Sequence, residues 1–131
     1  MADGRPPVIA ILNSNDDTVE MLRMAFENEG IVAVSAHVSD LRRGEIDFSG
    51  FLREHDPRVI LYDLVPPYER SWLFLQHLRG TSAGADRHYV LTSTNPARVR
   101  QIAGIDEQVF EIIGKPYDLN LIVEAVKRVL D

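Results

Sequence analysis

The chain has 131 residues, 45% hydrophobic and 26% charged, with a formal net charge of −6. That length fits one compact domain with its own core. The acidic balance argues against a dedicated nucleic-acid binder, which needs a clustered basic face. The sequence contains no cysteine, which excludes disulfides, thiolate metal ligands and cysteine nucleophiles. No apolar run is long enough for a signal peptide or a membrane span. A cytoplasmic protein with no membrane partner is therefore expected.

Strand-like apolar runs alternate with amphipathic segments. Val8 to Leu12 reads as a buried strand. Asn13-Ser-Asn-Asp-Asp17 follows and is rich in helix N-cap residues. Val19, Leu22 and Phe26 then lie on one helical face, which stops near Gly30. Ile31 to Ala36 is the second strand. In the stretch from His37 to Pro57, Asp40 to Gly44 reads as a turn or short helical piece. Asp47 to His55 suits a short helix carrying Phe48, Phe51 and Leu52, ended by Asp56-Pro57.

Val59 to Tyr62 is the third strand, with Asp63 at its carboxyl end. Pro66-Pro67 forces a loop, and Trp72, Leu75 and Leu78 give another helical stripe ended by Gly80 and the small, flexible Thr81 to Ala85. Tyr89 to Leu91 is the fourth strand, running into Thr92-Ser-Thr94. Asn95-Pro96 starts a helix, with Asn as cap and Pro at the first helical position. Its apolar stripe is Val99 and Ile102. Phe110 to Ile113 is the fifth strand, ended by Gly114-Lys-Pro116. Asp118 caps a last helix with Leu119, Ile122, Val126 and Val129 facing inward.

This order is a strand–helix unit repeated five times, (βα)5, which implies an α/β fold with a parallel sheet covered on both faces. One domain over residues 1–131 is expected, with an ordered core of about 7–130 and no attached output domain. In an open α/β sheet, ligands bind beyond the carboxyl ends of the strands. The residues there are Asn13 and Ser14 after the first strand, Asp63 after the third, Thr92 after the fourth and Lys115 after the fifth. A carboxylate nucleophile, a hydroxyl donor and a lysine converging from separate strands make a plausible phosphate site.

On these residues the chain resembles the receiver domains of two-component response regulators, over about Val8 to Leu130. The resemblance is carried by Leu61-Tyr-Asp-Leu-Val-Pro-Pro67, Leu91-Thr-Ser93 and Gly114-Lys-Pro-Tyr117. It implies a doubly wound, flavodoxin-like sheet of five strands in the order 2-1-3-4-5. It also implies a phosphoacceptor role for Asp63, with Thr92 and Lys115 in its pocket. Pro67 matches the proline four residues beyond the acceptor, and Pro67 and Pro116 are candidate loop or cis-peptide positions. Partners implied by the resemblance are a histidine kinase, a phosphotransfer protein or another signalling protein, and a homodimer through the fourth helix and fifth strand.

Three departures accompany the resemblance. Family members carry an acidic pair after the first strand that holds Mg²⁺; that pair falls on Asn13 and Ser14, which carry no charge. Mg²⁺ is a hard cation usually held by carboxylates, so only Asp63 and the Val65 backbone remain to offer it ligands. The aromatic switch residue three positions before the lysine is Ile112. The segment between the second and third strands is longer than usual. The expected function is therefore a receiver-type signalling domain, not an enzyme, with impaired or absent Mg²⁺-dependent phosphorylation of Asp63. A fully competent phospho-Asp switch is the alternative.

Other readings fit less well. An aspartyl phosphatase would carry a second Asp at position 65, which is Val65. A flavodoxin-like electron carrier would want a Ser/Thr-rich phosphate loop where Asn13 to Asp17 stands. Asn13 and Ser14 read as helix caps, and Asp16 and Asp17 as first-turn residues favoured by the helix dipole. Arg42 with Arg43, and Arg98 with Arg100, read as solvated faces. His37, His55, His77 and His88 are scattered without metal-ligand spacing. Trp72 reads as core.

Overall fold

The structure is a computed structural model that describes residues 6–104, 109–114 and 118–130, with backbone alone for 109–114. The elements are β1 (Val8–Leu12), α1 (Asp16–Glu27), β2 (Val32–Ala36), α2 (Val38–Arg42), α3 (Phe48–His55), β3 (Val59–Leu64), α4 (Tyr68–Arg79), β4 (His88–Ser93), α5 (Pro96–Ala103), β5 (Val109–Gly114) and α6 (Leu119–Leu130). The expected α/β fold with a parallel sheet is found. The strands lie side by side as β2-β1-β3-β4, and β5 extends the sheet beyond β4. All neighbouring pairs run parallel.

The (βα)5 repeat needs one correction. Six helices are present among the described residues, because the 37–57 stretch builds two of them, α2 and α3. Each has its own local cause. The helix α2 buries Val38 and Leu41 three residues apart. The helix α3 starts where the Asp47 carboxylate accepts from the Gly50 amide, and Gly44 at φ 74° reverses the chain between the two. Asp56 at φ 47° ends α3 in the left-handed region, just before Pro57.

Helix α1 begins one residue later than a cap at Ser14 would place it. Its N-cap is Asn15, whose side chain accepts from the Thr18 amide at 2.9 Å, not Asn13 or Ser14. Asp16 and Asp17 occupy the first turn as expected. Asn95 caps α5 in the same way, with Pro96 at its first position.

The sheet separates two cores. On one face α1 and α6 pack Val19, Leu22, Phe26, Ile122 and Val126 against Ile9, Ile11, Val59 and Leu61. On the other, α2 to α5 pack Leu41, Leu52, Trp72, Leu75 and Val99 against Leu12, Ile60, Tyr62 and Leu91. Trp72 is core, as its spacing implied. Every residue of β3 is buried, as befits a central strand with helices on both faces. Its sequence is therefore an apolar run in which Asp63 alone is charged.

The Thr81–Ala85 stretch, expected to be flexible, is tied down. Thr81 Oγ1 donates to the Leu78 carbonyl, the Gly84 amide donates to Thr81 Oγ1, and the Tyr89 hydroxyl donates to the Gly84 carbonyl at 2.9 Å. A Cβ at Gly84 would collide with the Leu78 carbonyl.

Leu52 is fully buried on α3, whereas Leu73 on α4 is 68% exposed. Leu52→Ala should cost about 2–5 kcal/mol of stability by leaving a cavity. Leu73→Ala should stay within about 0.5 kcal/mol. Urea denaturation of the two variants checks both, and a silent Leu52→Ala would mean that α3 is not integral to the core.

Candidate functional site

Asp63 is the last residue but one of β3, where the strand emerges from between the two helix layers. Parallel pairing sets it directly beside Thr92 of β4. Both side chains are buried, Asp63 at 7% exposure, and Thr92 Oγ1 donates to Asp63 Oδ1 at 2.7 Å. A carboxylate with so little access to water has to be compensated by donors. The strand-four hydroxyl is one of them.

Three other segments converge on this point. After β1, Asn13 is buried; its amide donates to the Ala36 carbonyl and its Oδ1 accepts from the Asn15 amide at 2.9 Å. Asn13 thus shapes the turn that delivers Ser14. After β3, the Val65 carbonyl accepts from Ser71 Oγ at 2.6 Å, and the Pro66–Pro67 bond is cis. From the 37–57 stretch, α2 brings Ser39 and Arg42. Ser14, Val38, Ser39, Arg42, Asp63, Val65 and Ser71 together line a cavity of about 90 Å³. Arg42 and Arg43, expected to share one solvated face, differ in role. Arg43 pairs on the surface with Asp40 and Glu45, while Arg42 belongs to the Asp63 cavity and also lies over the Phe74 ring, 5.4 Å from its centroid.

The rim is bonded as well. The Tyr68 hydroxyl hydrogen-bonds Thr94 Oγ1, and Glu69 pairs with Arg98, linking the first turn of α4 to the start of α5. Hydrogen bonds from its own backbone amide and from Arg98 hold the Glu69 carboxyl below its ordinary range. Arg98 therefore has a specific partner rather than a bare solvated face. Asp16 sits on the exposed first turn of α1, where His37 Nε2 meets its Oδ1 at 2.6 Å.

The residues singled out in the sequence thus divide. Asp63, Thr92, Ser14 and Val65 are brought together, with Asn13 beneath them as a turn former. Lys115 and Pro116 lie outside the described residues. Ile112 pairs with Leu91 along the backbone, and its side chain is outside the description. Arg42, Ser39 and Ser71 were missed. Ser71 had a weak signal, one helical turn into a segment following the loop; Arg42 had none.

Solved structures with the same architecture are numerous. A sensor protein from Polaromonas sp. JS666 superposes with a TM-score of 0.73 at 21% identity, covering 95% of this chain and 96% of that one. A response regulator from Thermotoga maritima gives 0.73 at 18% identity, covering 95% and 98%. A signal receiver domain of a two-component histidine kinase from Clostridium thermocellum gives 0.71 at 22% identity, covering 95% and 98%. The fold is that of receiver domains. No protein-family model matches the sequence, and no curated protein matches it either. Thus the receiver likeness rests on backbone architecture and on the few strand-end residues named above. No helix among the described residues is long and apolar enough to cross a membrane.

Among the described residues, the donors lining the Asp63 cavity do not suit the divalent ion that metal-dependent receivers hold. The cavity lining offers one carboxylate, three serine hydroxyls and a guanidinium. Mg²⁺ favours carboxylate oxygens. The Val65 carbonyl already accepts from Ser71. Among the described residues, no three His, Asp or Glu side chains are grouped as a metal site would need.

Tyr62, the neighbour of Asp63, points to the opposite face of the sheet. Its hydroxyl is buried with no hydrogen-bond partner. Burial pushes its pKa well above the ordinary tyrosine value; the Arg42 charge opposes the rise and the Asp63 charge adds to it. Burial likewise pushes Tyr89 up to about 12. Both phenols stay protonated in the folded chain at pH values where the unfolded chain loses them, above about 10. The contribution is therefore intact below pH ~10 and is lost as the pH climbs toward the folded values. In an alkaline titration, tyrosinate absorbance from Tyr62 and Tyr89 should appear only with loss of the folded circular dichroism. Tyr62→Phe should hold stability or raise it by up to about 1–3 kcal/mol, since it removes an unpartnered buried hydroxyl. A clear loss in thermal denaturation would contradict the unpartnered state of that oxygen.

Proposed function

We propose that the chain is a receiver-type signalling module of a two-component or phosphorelay system, with a pocket at Asp63 in which Mg²⁺-dependent phosphorylation is impaired or absent. The observation that carries this reading is the Asp63 cavity. It has the receiver position at the end of β3 and the Thr92 hydrogen bond, yet its remaining described lining is neutral or cationic. The uncharged Asn13 and Ser14 stand where metal-dependent receivers carry their acidic pair. The switch position of β5 is Ile112, which provides no aromatic ring to swing toward Thr92.

In this reading the module works by presenting a surface to a signalling protein rather than by catalysis. A histidine kinase, a phosphotransfer protein or another component of the relay is the partner class, in the cytoplasm. The α5/β5 face is the proposed contact for a second copy. No nucleic-acid or membrane partner is proposed. The competent-switch alternative draws on one specific observation, the Asp63–Thr92 bond at 2.7 Å, which would serve a phosphoryl oxygen as well as a carboxylate.

Incubation with acetyl phosphate and Mg²⁺, read by intact mass, separates the two. The proposed reading expects little or no Mg²⁺-dependent adduct. A stable adduct that requires Mg²⁺ and disappears in Asp63→Asn would establish the competent switch instead.

A further inference from the structure

The 37–57 stretch, longer than usual for a receiver, builds an open groove of about 490 Å³ against α4. That volume lies within the range of ligand-binding sites, about 300–1,000 Å³. Its floor is apolar. Leu41 of α2, Phe48 of α3 and Leu78 of α4 are buried beneath it, and Ile46 and Phe74 are half-buried against the same core. Leu73 precedes Phe74 and lies one helical turn before His77, at the solvent-side rim, where it is 68% exposed. A lone exposed leucine is ordinary, but one at the lip of an apolar groove extends a contact surface.

Charge decides what the groove takes. At its far end Arg43 is committed to the α2–α3 turn, paired with Asp40 at 2.7 Å and Glu45 at 3.1 Å. The Asp47 carboxylate caps α3 through the Gly50 amide. Arg42 and His77 instead rest against the Phe74 ring. The guanidinium lies 5.4 Å from its centroid, and the imidazole stacks at 6.4 Å and 30°. A guanidinium laid over a ring keeps its N–H groups in its own plane, where a carboxylate meets them edge-on. One such fork beside an apolar floor suits a carboxylate with a neighbouring apolar side chain. It does not suit nucleic acid, which needs a clustered basic face and would meet a chain of net charge −6. A membrane surface has no projecting group to enter a concave site.

We propose that this groove docks a short acidic segment of a partner protein, whose carboxylate pairs with Arg42 and whose adjacent apolar side chain packs on Ile46, Phe74 and Leu73. The proposal rests on the reading of the chain as a module that presents a surface to a signalling protein, and it names that surface. It requires nothing of Asp63.

The probe is a random-peptide display library selected on the full chain. Enriched peptides are resynthesised with a fluorescein label and titrated by anisotropy. The expected result is a set of peptides that place Asp or Glu beside Leu, Ile or Phe. Arg42→Ala should bind them about tenfold more weakly or worse, through loss of a charge-assisted bond, and Arg42→Lys should recover part of the affinity. Leu73→Ala should weaken binding several-fold through lost apolar contact while keeping native stability. Leu121→Ala, exposed on the opposite helix layer, should bind as the natural chain does. Thermal melting checks that each variant is folded. Enrichment of no peptide, enrichment of basic peptides, or equal binding of acidic peptides by folded Arg42→Ala and Leu73→Ala overturns the proposal. Self-association in sedimentation that Arg42→Ala abolishes also overturns it, because the occupant would then be a second copy of the chain. None of these outcomes changes what acetyl phosphate does at Asp63, so the groove and the pocket stand or fall separately.

Discussion

A carboxylate at the end of a central strand, buried between two helix layers, has to be stabilised by its immediate neighbours. Water is almost excluded from Asp63, so the cost of keeping its charge falls on the donors that the fold brings to it. Parallel register supplies the first, since β3 and β4 place Thr92 directly alongside. The doubly covered sheet is what makes this register rigid. Moving either strand by one residue would exchange the side chains that fit one core for those that fit the other and would take Thr92 from beside Asp63. The site and the fold are therefore held by the same packing.

The same constraint explains the loops. Asn13 folds the β1–α1 turn onto itself through the Asn15 amide and so presents Ser14 to the cavity. Ser71 reaches back from α4 to the Val65 carbonyl and fixes the β3–α4 loop. Tyr68 and Glu69 tie that loop's far side to Thr94 and Arg98. The Asn13 and Ser71 bonds satisfy groups that are partly or fully buried, while the Tyr68 and Glu69 bonds are made on the exposed rim. Together they make a small, pre-formed cavity rather than an open cleft.

Much of this was legible in the residues. Apolar runs of strand length, caps such as Asn95-Pro96 and the stripe Trp72–Leu75–Leu78 follow from local rules, and they place Asp63 and Thr92 at strand ends without further information. Arg42 was not legible. A helix of five residues has too little periodicity to reveal a face. Arg42 and Arg43 are adjacent in sequence but, at about 3.6 residues per turn, point in different directions. Their shared chemistry concealed their different surroundings. Similarly, the run Asn13 to Asp17 offers several equivalent caps, and only the fold shows that Asn15 accepts from the Thr18 amide while Asn13 Oδ1 accepts from the Asn15 amide. The small residues of Thr81–Ala85 looked like slack because what ties them down is bonding to backbone carbonyls, Thr81 Oγ1 to Leu78 and the Tyr89 hydroxyl to Gly84, which residue type alone does not reveal.

The account turns on the claim that the Asp63 pocket is compensated by protein groups and not by a divalent ion. Calorimetric titration of Mg²⁺ into the full chain, beside the Asn13→Asp/Ser14→Asp variant, tests that claim most directly. The account predicts no saturable binding to the natural sequence and a gain of binding when the two carboxylates are introduced. Saturable one-to-one binding to the natural sequence that is abolished by Asp63→Asn would contradict it.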